Sequence, residues 1–76
     1  MPHVLVKMYA GRSDQQKAKL AQAVSKAVDA ELNCGEDAIS VAIEDVNPQA
    51  WAATVYKPDI LNNPNLYKQP GYNPLK

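Results

Sequence analysis

The fold is decided by residues 2–9, which read Pro2-His3-Val4-Leu5-Val6-Lys7-Met8-Tyr9. From residue 4 the side chains alternate between two faces, with Val4, Val6 and Met8 on one and Leu5, Lys7 and Tyr9 on the other. A period of two is typical of a β-strand, predicted here over residues 4–9. The strand begins almost at the first residue, so it places the amino terminus of the chain on a rigid element.

A helix is predicted next, over residues 14–32. It opens with a capping-box pattern, because Ser13 is followed three residues later by Gln16. Apolar side chains then recur at steps of three and four and form one stripe: Leu20, Val24, Ala27, Val28 and Leu32. The helix is predicted to end at Asn33, with Gly35 available for a left-handed cap.

A second alternating segment, residues 39–46, predicts a second strand. Strand, helix and strand in this order make a β-α-β unit with a parallel strand pair, which places the chain in the α+β class. The helix covers one face of the pair, whereas the face that carries Leu5, Tyr9 and Ala42 has no second layer in one chain. Because two-stranded sheets are marginal alone, we expect a homo-oligomer in which a second copy completes a four-stranded sheet.

After residue 46 the alternating strand pattern ends, and prolines become frequent. Asn47-Pro48 is a helix start, and a short helix is predicted to run to about residue 56 before Pro58 interrupts it. The remainder contains several helix-breaking residues and is expected to be an irregular arm, or one short helix followed by a tail. It either wraps a neighbouring subunit or is mobile. The whole chain, 1–76, is expected to be one domain with two parts: a β-α-β core at 3–46, and the short helix and C-terminal arm at 47–76.

Composition restricts the function. The chain has 76 residues and a net charge of zero with histidine neutral. It shows no basic stripe for nucleic acid, no run of the ~18 apolar residues that a membrane span needs, and no signal peptide. His3 is the only histidine and no group has metal-ligand spacing, so we expect neither a metal nor a cofactor. A lone thiol, Cys34, without an export signal indicates the cytoplasm.

Pro2 is the candidate catalytic residue. Aminopeptidases commonly remove an initiator Met1 before a small residue, which leaves a secondary amine at the head of the first strand. An α-amine has a pKa of about 8, and burial lowers that pKa because it disfavours the charged form. A neutral amine is well matched to taking a proton next to a carbonyl. The alternative is that Pro2 is only a common, tolerated second residue.

Arg12 and Trp51 are candidates for substrate binding. Arg12 is the only arginine, and its guanidinium fits a carboxylate in a bidentate way. The alternative is a solvated charge in the loop after the first strand. Trp51 is the only tryptophan and could wall an apolar pocket, or simply pack the short helix against the core.

Together these residues resemble the 4-oxalocrotonate tautomerase family. The matching features, which cover about the first fifty residues without a gap, are Pro2 at the head of a strand, Gly11-Arg12-Ser13-Asp14, Gln16-Lys17, the strand around Val41 and an aromatic at Trp51. The PptA-type bacterial tautomerases are the best match within the family, on Pro2-His3, Pro48-Gln49-Ala50-Trp51 and Lys68-Gln69-Pro70-Gly71-Tyr72.

The resemblance implies a dimerising isomerase that moves a proton between oxygen and carbon of a 2-keto or 2-hydroxydienoate acid, by a 1,3 or 1,5 shift, with Pro2 as general base. The glycine-rich hairpin that ends hexameric family members is absent here, so a dimer is expected over a hexamer. The resemblance also implies that Arg12 engages the substrate carboxylate and that Trp51 is a pocket wall. Ser40 stands where the family has a second arginine, so a monocarboxylate such as enolic phenylpyruvate is expected instead of a dicarboxylate. His3, directly after the base, is expected to touch substrate or else to be an interface residue.

Two other functions remain open on the sequence. The same fold and base could support hydration or dehalogenation of an unsaturated acid, which needs a water-activating carboxylate in the pocket. The chain could also be a non-catalytic oligomeric binding module that retains Met1, because an uncleaved Met1 removes the free amine.

Overall fold

The computed structural model describes residues 1–76. Strand β1 is His3–Tyr9, helix α1 is Asp14–Leu32, and strand β2 is Ser40–Val46, entered through a single 3-10 turn at Glu36–Ala38. The two strands pair in parallel, in a register that runs from His3 opposite Ser40 to Tyr9 opposite Val46. The α+β class and the β-α-β arrangement are therefore confirmed, with each strand starting one residue away from its predicted start.

Both ends of α1 are closed by local hydrogen bonds. At the start, the Gln16 N–H donates to Ser13 Oγ at 3.1 Å and the Ser13 N–H donates to Gln16 Oε1 at 3.2 Å. At the end, Asn33 adopts the left-handed conformation, with φ 54°, and its N–H donates to the Asp29 carbonyl. The prediction that Gly35 caps the helix is wrong, because Asn33 tolerates this conformation and takes the position first. Gly35, also at positive φ, turns the chain into the 3-10 turn.

Helix α1 packs on one face of the sheet. The half-buried apolar side chains of this layer are Val4, Val6, Met8, Leu20, Val24, Val28, Val41 and Ile43. Two members of the predicted stripe, Ala27 and Leu32, are exposed, and Ala21 and Ser25 are half-buried in their place. The face of α1 that packs on the sheet is therefore rotated slightly about the helix axis from the predicted apolar stripe.

The helical segment after β2 is longer than predicted, and it consists of a 3-10 turn followed by a π-helix. Asn47 caps a 3-10 turn, Pro48–Ala50, by accepting the Gln49 N–H at 2.9 Å. A π-helix, Ala52–Leu61, follows with Pro58 inside it, so the prediction that Pro58 interrupts the helix is wrong. Proline lacks one N–H and clashes with the carbonyl four residues earlier in an α-helix, and the wider i→i+5 turn relieves that clash.

The π-helix lies against the second face of the sheet. Lys7 of β1 forms an ion pair with Asp59 at 2.5 Å, and Leu5 lines a cavity together with Val55. Val55 and Tyr56, 5% and 7% exposed, are the two most buried residues of the chain. The expectation that one chain leaves this face without a second layer is thus corrected: the layer is present but partial, since Leu5 and Tyr9 remain 50% and 52% exposed.

The isolated chain exposes more surface than a folded monomer of its mass. Its accessible surface is 5869 Å², whereas a monomeric protein of 8.3 kDa exposes about 4,600 Å². The surplus of about 1,300 Å² is comparable to what one partner buries in an obligate interface. Only β1 and β2 pair with each other, so each strand keeps one free edge, which is consistent with a sheet completed by a second copy. None of the helices has the length and apolar character that crossing a membrane requires.

Candidate active site

The predicted site residues divide between two ends of the sheet. Pro2 immediately precedes β1, whereas Arg12 follows it in the loop to α1. The seven residues of β1 rise by ~3.3 Å each, so the strand spans about 23 Å. We call the end with Pro2, His3 and Ser40 the proline end, and the end with Arg12 and Trp51 the arginine end. One chain therefore does not bring Pro2 and Arg12 together.

At the proline end, Pro2 is held while the residue before it is free. Pro2 is half-buried, and its carbonyl accepts a hydrogen bond from the Ser40 N–H at 3.2 Å. Met1 is fully exposed, with no contact that fixes it. Loss of Met1 would leave the ring of Pro2 anchored to the sheet through its own carbonyl.

His3 and Ser40 form a polar pair beside Pro2. They face each other across the two strands, and His3 Nδ1 lies 2.6 Å from Ser40 Oγ. Both side chains are on the sheet face opposite α1, and both are exposed. A serine hydroxyl both donates and accepts, so this pair offers a donor near the amine without supplying a permanent charge.

At the arginine end, Arg12 carries an unpaired positive charge. It lines an open cavity of about 260 Å³ with Met8, Gln16 and Leu20, and its guanidinium makes no salt bridge. Gly11, at φ +124°, makes the turn that precedes it, a conformation that other residues rarely adopt. An unpaired guanidinium at the rim of a cavity is suited to binding a carboxylate.

Two lysines are committed to carboxylates, which sets Arg12 apart. The hydrogen bond that Lys7 donates to Asp59 raises the pKa of Lys7 above its ordinary value. The hydrogen bond that Lys17 donates to Asp45, 2.9 Å away, likewise raises the pKa of Lys17. Both ion pairs stabilise the packing between elements, so neither lysine is free to hold a ligand.

Three aromatic side chains line a second open cavity at the arginine end. Tyr9, Trp51 and Tyr72 line a space of about 320 Å³, which we call the aromatic cup. The rings of Tyr9 and Trp51 meet edge to face at 5.2 Å and 79°. The Trp51 indole N–H donates to the Tyr72 hydroxyl at 2.9 Å, and Tyr72 also packs on the ring of Tyr56.

Sequence reasoning missed two of these residues. Tyr9 was not among the predicted site residues, and Tyr72 belongs to the arm, for which no regular structure was predicted. The signal available for Tyr72 was its place in Lys68-Gln69-Pro70-Gly71-Tyr72, part of the resemblance to the PptA type. Its contact with Trp51 spans 21 residues of sequence, which no local pattern encodes.

The sequence model of the tautomerase enzyme family matches residues 2–56, most of the chain. The chain belongs to the tautomerase enzyme family. A probable tautomerase of Xylella fastidiosa is 42% identical over 76 residues, covering 99% of this chain and 93% of that protein. Tautomerase PptA of Klebsiella pneumoniae is 38% identical over 74 residues, covering 96% of this chain and 99% of that protein. The predicted resemblance is confirmed.

A solved structure shares the fold of this tautomerase-family chain. The crystal structure of apo unFused 4-OT superposes with a TM-score of 0.62 at 33% identity, covering 64% of this chain and 80% of that chain. Family membership supports an isomerase with tautomerase-type activity. Such chemistry needs a base and a group that holds the substrate's charge. The chain carries a candidate for each, at opposite ends of its sheet.

Proposed function

We propose that this chain is a tautomerase that moves a proton between oxygen and carbon of a small 2-keto or 2-hydroxydienoate acid, with the amine of Pro2 as general base after Met1 is removed. One observation carries the proposal: Pro2 is half-buried and hydrogen-bonded to the sheet through its carbonyl, while Met1 projects wholly into solvent. This arrangement supports a free amine on a rigid element once Met1 is gone.

The base works by a simple proton shuttle. Partial burial lowers the pKa of the secondary amine of Pro2 from the ordinary value of about 8, so the amine is neutral at physiological pH. It takes the proton of the enol hydroxyl and delivers it to the carbon at the other end of the enol. One O–H bond breaks, one C–H bond forms, and the reverse reaction follows the same path.

The remaining site residues bind the substrate. The unpaired guanidinium of Arg12 binds the carboxylate, and Trp51 keeps water from one side of the reacting carbons. The His3–Ser40 pair donates to the oxygen on which charge develops. Because Ser40 is neutral, the site offers one full positive charge, which favours a monocarboxylate such as enolic phenylpyruvate.

The complete site is formed between two copies of the chain. Antiparallel pairing of the free β1 edges brings the proline end of one copy next to the arginine end of the other, whereas parallel pairing would bring like ends together. Such a pair is two-fold symmetric, so each contact occurs twice, and it forms a four-stranded sheet with two sites. We therefore favour a dimer as the functional unit.

The test replaces the base while keeping the amino terminus free. Pro2→Ala still allows removal of Met1 but leaves a primary amine on a less constrained residue, so kcat for ketonisation of enolic phenylpyruvate should fall by about 100-fold or more, the usual contribution of a general base. Pro64→Ala, in the exposed arm, is the matched control. Equal rates for wild type and Pro2→Ala would reject the proposal.

The alternatives differ in ways that can be measured. Hydration or dehalogenation needs a carboxylate to activate water, yet Asp59 and Asp45 are both engaged by lysines. Faster turnover of haloacrylates than of enols would favour that reaction. A binding module requires Met1 to be retained, and mass spectrometry of the natural protein distinguishes it from the enzyme.

A further inference from the structure

The arm is tied to the rest of the molecule chiefly through one aromatic residue. Residues 62–76 contain no helix or strand, and most of their hydrogen bonds stay within the arm. Asn62 and Asn63 donate back to carbonyls of the π-helix that they follow. Farther along the arm the exception is Tyr72, whose hydroxyl accepts the Trp51 indole N–H at 2.9 Å and whose ring packs 5.9 Å from that of Tyr56. Tyr56 is one of the two buried residues of the chain, so Tyr72 packs against the core.

This contact fixes the orientation of Trp51. The indole is held from one side by the edge-to-face contact with Tyr9 and from the other by the hydrogen bond to Tyr72. Without the hydroxyl, only the ring contact would oppose rotation of a half-buried indole. The shape of the aromatic cup therefore depends on a single atom of the arm, the Tyr72 hydroxyl oxygen.

The cup has the size and character of a site for a flat ring. Its volume is about 320 Å³ and aromatic rings supply its walls, whereas an apolar cavity of about 150 Å³ already holds benzene. Aromatic pairs that meet edge to face gain about 0.5–1.5 kcal/mol beyond the area they bury. The cup and the Arg12 cavity lie at the same end of β1, on opposite faces of the strand.

We propose that Tyr72 is a positioning residue that holds Trp51 in the wall of the aromatic cup and thereby makes the C-terminal arm the element that selects ring-bearing 2-keto acids over short alkyl ones. The reaction named here rests on the proposed function, whereas the ring selectivity rests on the cup itself. A short alkyl acid leaves most of the cup empty, so its binding depends little on where Trp51 is held.

The first test measures binding without catalysis. Trp51 is the only tryptophan, so its fluorescence reports ligands in the cup directly. Titration with 3-phenylpropanoate and with butanoate should show tighter binding of the ring-bearing acid to the wild type. Tyr72→Phe keeps the ring and removes the acceptor, so the Kd for 3-phenylpropanoate should rise about three- to tenfold, the scale of one hydrogen bond, and that for butanoate should stay unchanged.

Tyr67→Phe is the matched control, because Tyr67 is fully exposed in the same arm and its ring contacts no other aromatic. It should bind both acids like the wild type. An unchanged Kd for 3-phenylpropanoate in Tyr72→Phe would overturn the proposal, and so would an equal loss for both acids, which indicates general loosening of the fold.

The second test separates this proposal from the proposed function. With enolic phenylpyruvate, Tyr72→Phe should raise KM by a similar factor and leave kcat within about twofold, while both constants for the enol of 2-oxobutanoate stay unchanged. If Pro2→Ala retains full activity but Tyr72→Phe still weakens only the ring-bearing acid, the catalytic assignment fails and the role of Tyr72 stands. A fall in kcat with unchanged KM would overturn the role of Tyr72.

Discussion

Arg12 shows how much the availability of a single charge matters. Lys7 and Lys17 are held by Asp59 and Asp45, whereas Arg12 lies at a cavity rim without a carboxylate. A guanidinium also matches the two oxygens of a carboxylate better than an ammonium does. In the proposed function, binding of the substrate anion depends on Arg12 and on the turn at Gly11 that precedes it.

Replacement of Arg12 should therefore weaken substrate binding more than it slows the chemical step. Arg12→Gln keeps a long polar side chain but loses the charge, so KM for enolic phenylpyruvate should rise about tenfold or more, the value of a charge-assisted contact. Lys19→Gln removes an exposed charge of the same sign from α1 and serves as control. Equal KM values for the two variants would contradict the assignment of Arg12.

The elements differ in how far the sequence alone could predict them. Strand β1 is predicted by the alternation of its side chains between two faces, and the start of helix α1 by the capping box at Ser13. Both signals lie within a few residues of sequence. The π-helix was not predictable past Pro58, because only its packing on Lys7 shows why the chain stays wound there. The aromatic cup depends on a contact between Trp51 and Tyr72, brought together by tertiary folding.

The Lys7–Asp59 ion pair should give the π-helix a pH-dependent attachment. The hydrogen bond that Lys7 donates to Asp59 raises the pKa of Lys7 above its ordinary value of 10.5. A raised pKa means that the folded chain holds the proton more tightly, so this stabilisation is fully present below about pH 10 and is lost as pH rises through the pKa of the folded state. The attachment is therefore intact at neutral pH.

Asp59→Asn should lower the thermal midpoint by a few degrees at pH 7 and make its decline above pH 10 shallower than in the wild type. Circular dichroism melts from pH 7 to pH 11 measure both effects. Asp37→Asn, which alters an exposed carboxylate without an ion pair, is the control. An alkaline decline equally steep in all three proteins would rule out this role for the pair.

The whole molecule is more open than a chain of its length usually is. Its radius of gyration is 13.9 Å, against about 11.4 Å for a compact domain of the same length. Large apolar side chains remain exposed on the second sheet face, at the end of the π-helix and in the arm: Leu5, Tyr9, Leu61, Tyr67, Tyr72 and Leu75. The proposed association of two copies would cover the surplus surface and bring Pro2 of one copy next to Arg12 of the other.

A mixing experiment tests this composite site. Pro2→Ala and Arg12→Gln variants, each nearly inactive at low substrate concentration, are unfolded together and refolded. Half of the resulting dimers contain one chain of each kind, and each mixed dimer has one site with both native residues, so activity should recover to about a quarter of the wild-type value. Refolding each variant alone is the control, and no recovery on mixing would mean that Pro2 and Arg12 do not share a site across two chains.

The contrast between anchored Pro2 and projecting Met1 has a practical consequence. A leader peptide fused ahead of Pro2 would extend outward without disturbing the strand, so the fusion would fold and associate normally while its imino nitrogen stays acylated. Proteolytic release of the leader at the bond before Pro2 would then switch on catalysis in an already assembled particle. The fold thus lends itself to a zymogen whose activation requires one cut and no rearrangement.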